Sequence, residues 1–225
     1  MDKDVKTTLE NLLIWALFPN FESHKMRVET TSRNIYKFSE LSEKAKQKAI
    51  EDQSRFESGE WDSSYSVDDI KSTAKIFGLE IDNLYFSGFS STVTGASFDG
   101  NYQYAKGGLK AIKADRPDDT ELHGIVSRFQ DLQRKSFYAL SCSIVQHGNS
   151  YHENTIYIDS LYINEDYPNY DTTSIEKDLL SCLREFAQWA YALLNCDYDY
   201  RVSEEACIES IEANEYEFYE NGEIV

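Results

Sequence analysis

Proline is scarce and glycine modest, at 3 and 10 residues of 225, so neither a linker-rich nor a fibrous design fits. Basic residues are also short: 22 stand against 40 acidic ones, for a net charge of −18. A field of that sign repels phosphate backbones and anionic lipid, so direct nucleic-acid binding and membrane association are not expected, whereas basic partners are. No long apolar run is present. Leu12 to Phe18 is too short to span a bilayer, and Asp2, Asp4 and Glu10 precede it where a secretory signal would be basic. Cys142, Cys182, Cys196 and Cys207 form no CxxC pair and have no histidine at zinc-ligand spacing. They read as free thiols in a reducing compartment, and the expectation is a cytoplasmic protein with no metal and no cofactor.

What is there is a core. Hydrophobic residues make up 41% of the chain, with 16 Tyr and 12 Phe, too much large apolar surface for a disordered protein. Val5, Leu9, Leu12, Leu13 and Ala16 predict a helix over 4–18, ahead of Pro19, and residues 20–32 are polar and irregular. Arg33–Phe38 reads as a short strand, and Ser39 as the cap of a helix with Leu41, Ala45, Ala49 and Ile50 on one face. Ser66 and Asp69 open a helix over 67–77 that stops at Gly78.

Residues 80–104 read as two strands around a loop, the second with Ala96, Phe98, Gly100, Tyr102 and Tyr104 inward and Ser97, Asp99, Asn101 and Gln103 outward. Lys106–Thr120 reads as a polar loop containing Pro117, ending where Asp118 or Asp119 caps a helix carrying Leu122, Ile125, Val126, Phe129 and Leu132. Strands at 137–147 and 154–163 flank a turn at His147–Tyr151. After Pro168, helices follow at 173–195 and 203–213, then a small hairpin around Asn221-Gly222. Paired strands separated by helices imply an α+β fold, an antiparallel sheet built from hairpins and covered by helices. Residues 1–32 form an N-terminal helix and linker, and 33–225 a single domain.

Two constellations carry possible chemistry. Tyr85 to Gly100 concentrates glycine, hydroxyls and aromatics at a strand junction, and Ser87, Gly88, Phe89, Gly95 and Asp99 are its residues of interest. Such a loop offers N–H groups and hydroxyls to a ligand, or simply meets the backbone demands of a hairpin. It lacks the Gly-Lys-Ser/Thr ending of a phosphate loop, and Ser87 lies outside a Gly-x-Ser-x-Gly elbow, so no catalytic residue is assigned. His147 and His152 flank one turn and, with Glu153, are read as an exposed turn in preference to a metal or acid–base site.

Ile35 to Ser42 ahead of an Ala/Lys helix, Ser87-Gly88-Phe89, Gly95-Ala96-Ser97-Phe98-Asp99-Gly100 and the ending Ala213 to Phe218 together resemble a family of acidic proteins encoded by bacteriophages and prophages. Members tend to read Ser-Gly-Phe-Trp-Ser-Gln-Gly-Asp-Gly-Ala across the loop. Ser90 to Gly95 departs from that pattern and lacks its acidic residue. The resemblance covers scattered pieces between residues 35 and 218. It implies a phage or mobile-element context, hence a host-cell cytoplasm, and assigns no activity.

The carboxylates are the strongest numerical signal. Between Asp197 and Val225 ten acidic residues face Arg201 alone, which is half of the net charge. Asp197, Asp199, Glu204, Glu205, Glu209, Glu212, Glu215 and Glu217, interleaved with Tyr198 and Tyr200, make an acidic surface with aromatic anchors, suited to a Lys/Arg groove. The expected function is therefore inhibition by binding. A phage-encoded acidic protein, with possible nucleic-acid mimicry, would occupy the basic surface of a host defence protein, in the manner of anti-CRISPR or anti-restriction proteins. A homodimer is compatible with this. The alternative is a small hydrolase or nucleotide-modifying enzyme built on the Gly/Ser-rich loop, for which Ser87, Asp99, His147 and His152 would have to converge.

Overall fold

The computed structural model describes residues 29–89, 94–163 and 172–225. The helix expected at 4–18, His24, Ser90 to Val93 and the turn at Pro168 lie outside the described residues. The chain divides into two compact units, Met1–Ile35 and Tyr36–Val225. Of the first, residues 29–35 are described and are irregular. The second carries every helix and strand among the described residues.

Its elements run β1 (Tyr36–Lys37), α1 (Glu43–Gly59), α2 (Ser64–Ile76), β2 (Leu79–Phe86), β3 (Ala96–Gln103), α3 (Gly108–Asp115), α4 (Thr120–Lys135), β4 (Ser141–Gln146), β5 (Ile156–Tyr162), α5 (Thr172–Arg201), α6 (Glu204–Ala213) and β6 (Glu217–Phe218). β2, β3, β4 and β5 form an antiparallel sheet in that order, and β1 pairs with β6 in a second, two-stranded ladder. The fold is α+β.

The main core fills the space between one face of the sheet and the helices. Leu79, Phe98, Tyr102, Cys142 and Ile144 meet Ile70 and Ala74 of α2, Leu122, Val126 and Phe129 of α4, and Leu179, Leu183 and Phe186 of α5. The spacing of three and four along α4 and α5 places those side chains on one helix face each. The opposite sheet face is polar. Glu80, Asn101 and Gln103 are exposed there, and Ser141, Ser143 and Ser160 half-buried. Their register aligns them in rows: Glu80 opposite Asn101, Asn101 opposite Ser143, Ser143 opposite Ser160, and Ser141 opposite Tyr162. A smaller cluster joins Leu41, Ala45 and Ala49 to Ile211 of α6 and Phe218 of β6.

Several boundaries differ from expectation for local reasons. Ser39 lies in a 3-10 turn, and Ser42 caps α1, its Oγ accepting the Ala45 N–H at 3.3 Å. Helix α2 begins before Ser66, because Asp62 takes both the N–H and the hydroxyl of Ser64 at 2.9 and 3.0 Å. Those two bonds hold the Asp62 carboxyl below its ordinary value. Asp119 is the cap of α4, accepting from Leu122 N–H at 2.9 Å.

Lys106–Thr120 contains α3, where a loop was expected. Ile112 is fully buried, while Gly108 fits because a Cβ there would lie 2.8 Å from Phe77 Cα. The strand expected from residue 137 starts at Ser141, because Phe137 and Tyr138 take left-handed φ of 49° and 62° as α4 ends. Ser97, expected outward, is fully buried, and Tyr104 lies beyond β3. The strand expected at 33–38 is only Tyr36–Lys37, and the closing hairpin is a single bridge between Phe218 and Ile224. Helix α5 runs past 195 to Arg201 and so takes in Asp197 to Tyr200. All four cysteines are free, with Cys142, Cys182 and Cys207 buried and Cys196 exposed. Among the described residues, no helix is long and apolar enough to cross a membrane.

Candidate partner-binding surface

The acidic C-terminal stretch sorts into two kinds of carboxylate. Asp197 and its neighbours on the last turns of α5 are already engaged. Asp197 Oδ2 accepts the Trp61 indole N–H at 3.0 Å and the Ser66 hydroxyl at 2.9 Å. Tyr198 packs its ring on Phe89 and Trp61, at centroid distances of 4.9 and 5.4 Å, and its hydroxyl shares a 2.7 Å hydrogen bond with Ser58. Asp199 accepts from Asn195 at 2.7 Å. Of the four residues 197–200 expected in the partner surface, Asp199 and Tyr200 remain exposed, Tyr200 at 61%.

Helix α6 is different. Ser203 caps it by accepting the Ala206 N–H at 3.2 Å, and Glu204 and Glu205 fall in its first turn, where the helix dipole favours negative charge. Cys207 and Ile211 point inward. Glu205, Glu209 and Glu212 stand three and four residues apart on the exposed side, with Glu215 just beyond. Among the described residues, Glu204, Glu205, Glu209 and Glu212 are exposed and make no ion pair, while Lys37 Nζ donates to the Glu215 carbonyl at 3.4 Å. The basic side chains nearby are spent elsewhere: Lys37 on Glu217 at 3.5 Å, Lys48 on Glu223 at 2.7 Å and Arg201 on the buried Glu57 at 2.6 Å.

The Gly/Ser-rich loop is closed by its own neck. Ser87 N–H donates to the Gly95 carbonyl at 3.0 Å, the Gly95 N–H donates to Ser87 Oγ at 2.9 Å, and the hydroxyl returns to the Gly95 carbonyl at 3.3 Å. A Cβ at Gly95 would lie 2.9 Å from His152 Cβ, which explains glycine at that position. Gly88 is open and exposed, and Phe89 turns inward onto Trp61, Phe86, Tyr191 and Tyr198. Asp99 accepts from the backbone and side chain of Asn83, at 2.9 and 3.0 Å, and from the Tyr85 hydroxyl at 2.9 Å. That last bond raises the Tyr85 phenol above its ordinary value.

His152 and His147 are likewise occupied locally. Nδ1 of His152 accepts from Asn154 N–H at 3.2 Å, and His147 packs edge-on against Tyr157. Among the described residues, no group of three or more His, Cys, Asp or Glu side chains is placed to hold a metal ion. Ser87, Asp99 and His152 thus each make local hydrogen bonds, and His147 makes a ring contact at an exposed position.

Trp61, Ser66, Glu57 and Ser58 are the partners that sequence reasoning missed. They lie more than 130 residues from Asp197, Tyr198 and Arg201, to which they bond, and no local pattern couples such positions.

Residues 61–204 match the family model described as a domain of unknown function, DUF8835. The match takes in the whole four-stranded sheet with α2 to α5, and leaves α1, nearly all of α6 and the β1–β6 ladder outside it. No curated protein and no solved structure matches the chain. With well over half of its length inside that model, the chain belongs to the DUF8835 family.

Proposed function

We propose that this protein works by binding, its acidic α6 face docking on the basic surface of a nucleic-acid-handling protein. One observation carries the reading: Glu205, Glu209 and Glu212 line one side of a short helix with no cation among the described residues to offset them. Like charges at these spacings each cost an isolated helix about 0.2–0.5 kcal/mol. A basic partner relieves that repulsion and is steered to the surface by it. Glu204, Glu215 and the exposed Tyr200 extend the same surface with charge and contact area.

In that role the protein inhibits a host defence system, in the anti-CRISPR or anti-restriction manner, by competing with nucleic acid for a basic groove. The test is titration against purified Cas effectors and restriction enzymes at physiological salt, with duplex DNA as competitor. A salt-sensitive complex that DNA displaces, and that the triple charge reversal Glu205→Lys, Glu209→Lys and Glu212→Lys abolishes, supports it. Absence of any such affinity sinks it.

A further inference from the structure

The polar sheet face is a second surface, separate from α6 and wholly inside the family-matched stretch. Side-chain polarity on an open antiparallel sheet is ordinary. Less ordinary is a trough across all four strands, about 410 Å³ in volume, lined by Glu80, Asn101, Gln103, Ser143, Ser160 and Tyr162 among others. That volume falls within the range of roughly 300–1,000 Å³ typical of small-ligand sites.

The chemistry of the lining narrows the occupant. Ser143 and Ser160 share a hydrogen bond across β4 and β5. The side-chain polar atoms of Glu80, Asn101, Gln103 and Tyr162 have no protein partner among the described residues, although Asn101 and Gln103 stand on an inner strand. Two amides supply paired donors and acceptors, the carboxylate accepts twice, and the hydroxyls do both. No lysine or arginine lines the trough, and Glu80 adds a negative charge, so phosphates, nucleic acids and acidic sugars are repelled. A cationic chain would find one free carboxylate among mostly neutral groups. A bulge in β5 at Asp159 brings Tyr157 and Tyr162, 46% and 65% exposed, onto this same face opposite Val145 and Ser141, about 13 Å apart at strand spacing. Each offers an aromatic surface to an apolar C–H face of a ligand.

We infer that this trough binds a neutral oligosaccharide, with Asn101, Gln103 and Glu80 bonding its hydroxyls and the two tyrosines packing on sugar rings. The inference stands whether or not α6 docks on a basic protein.

The test is titration of the full chain with uncharged hexasaccharides (cellohexaose, maltohexaose and N-acetylchitohexaose), read by amide chemical shifts. Saturable binding of at least one, with shifts confined to the outward residues of β2 to β5, is the expected result. Asn101→Ala and Tyr162→Ala, both at exposed positions that leave the core untouched, should each weaken it about tenfold or more. Glu205→Lys should leave it unchanged. The inference is overturned if none of the three saturates the face up to about 10 mM. It is equally overturned if a Lys/Arg-rich decapeptide shifts these residues while the sugars do not.

Discussion

Asp197 holds Trp61 by a 3.0 Å hydrogen bond from the indole N–H, joining the last turns of α5 to the link between α1 and α2. The same oxygen takes the Ser66 hydroxyl, so one carboxylate satisfies two donors in a partly buried place. Asp197→Ala is expected to cost about 1.5–3 kcal/mol, the range for hydrogen bonds to a charged group. Urea unfolding measures the loss, and Trp61 emission should move to longer wavelength as the ring becomes wetter. An effect on partner binding at unchanged stability would instead return Asp197 to the docking surface.

Arg201 is half exposed, yet its removal should be costly. Its partner Glu57 has a side chain only 8% exposed, held also by Gln53 at 2.8 Å and Ser210 at 3.3 Å. Arg201→Ala leaves that carboxylate buried with neutral partners only. The expected loss is about 2–3 kcal/mol, below the full buried-pair value because Arg201 itself is accessible. In a Glu57→Gln background the same change should cost less than about 1 kcal/mol, which a double-mutant cycle by denaturant unfolding will show.

Two glycines should respond in opposite directions to alanine. Gly222 has φ +85°, and a Cβ on it would sit 2.3 Å from the Ala45 carbonyl oxygen, so Gly222→Ala should destabilise by about 2 kcal/mol or more. Gly124 lies within α4 with nothing within 4 Å of where an added methyl would stand, and Gly124→Ala should stabilise by about 0.5–1 kcal/mol. Thermal melts of the two variants beside the parent check both signs.

The thiols give a pH-dependent prediction. Burial pushes Cys142 up to about 12 and Cys182 up to about 11, from an ordinary 9.0, and raises Cys207 as well. Native protein at pH 8 should therefore react with a thiol probe at exposed Cys196 and spare the other three until it unfolds. The sign for stability follows from keeping those thiols neutral when folded. Their contribution is intact below pH 9 and is lost as pH rises from 9 through about 11 to 12. Replacing Cys142 and Cys182 with serine should flatten that alkaline decline.

Helices α4 and α5 and the alternation of β3 from Gly100 to Gln103 were legible because each sequence period maps directly onto one buried face. Phe129 and Phe186 are fully buried as that pattern requires. Helix α3 was not legible, because two turns opening on Gly107-Gly108 show no period long enough to read. The candidate surface was legible as composition alone. Sequence placed Asp197 and Glu205 in one acidic set, but only the fold separates a carboxylate already bonded to Trp61 from one facing solvent. The sheet-face trough was half visible, since Asn101 and Gln103 were expected outward. The rows they make with Ser143 and Ser160 depend on strand register, which alternation does not specify.

The β1–β6 ladder has a consequence for how the chain is made. Helix α1 finds its apolar partners in Ile211 and Phe218, its Lys48 pairs with a residue 175 positions later, and Gly222 seats against Ala45. A ribosome synthesising this protein has therefore exposed α1 long before its docking partners exist. Residues 61–204, whose sheet and core are complete without the segment that follows, can assemble first. The first helix of the domain is then among the last to find its place, once α6, β6 and Gly222 have been made.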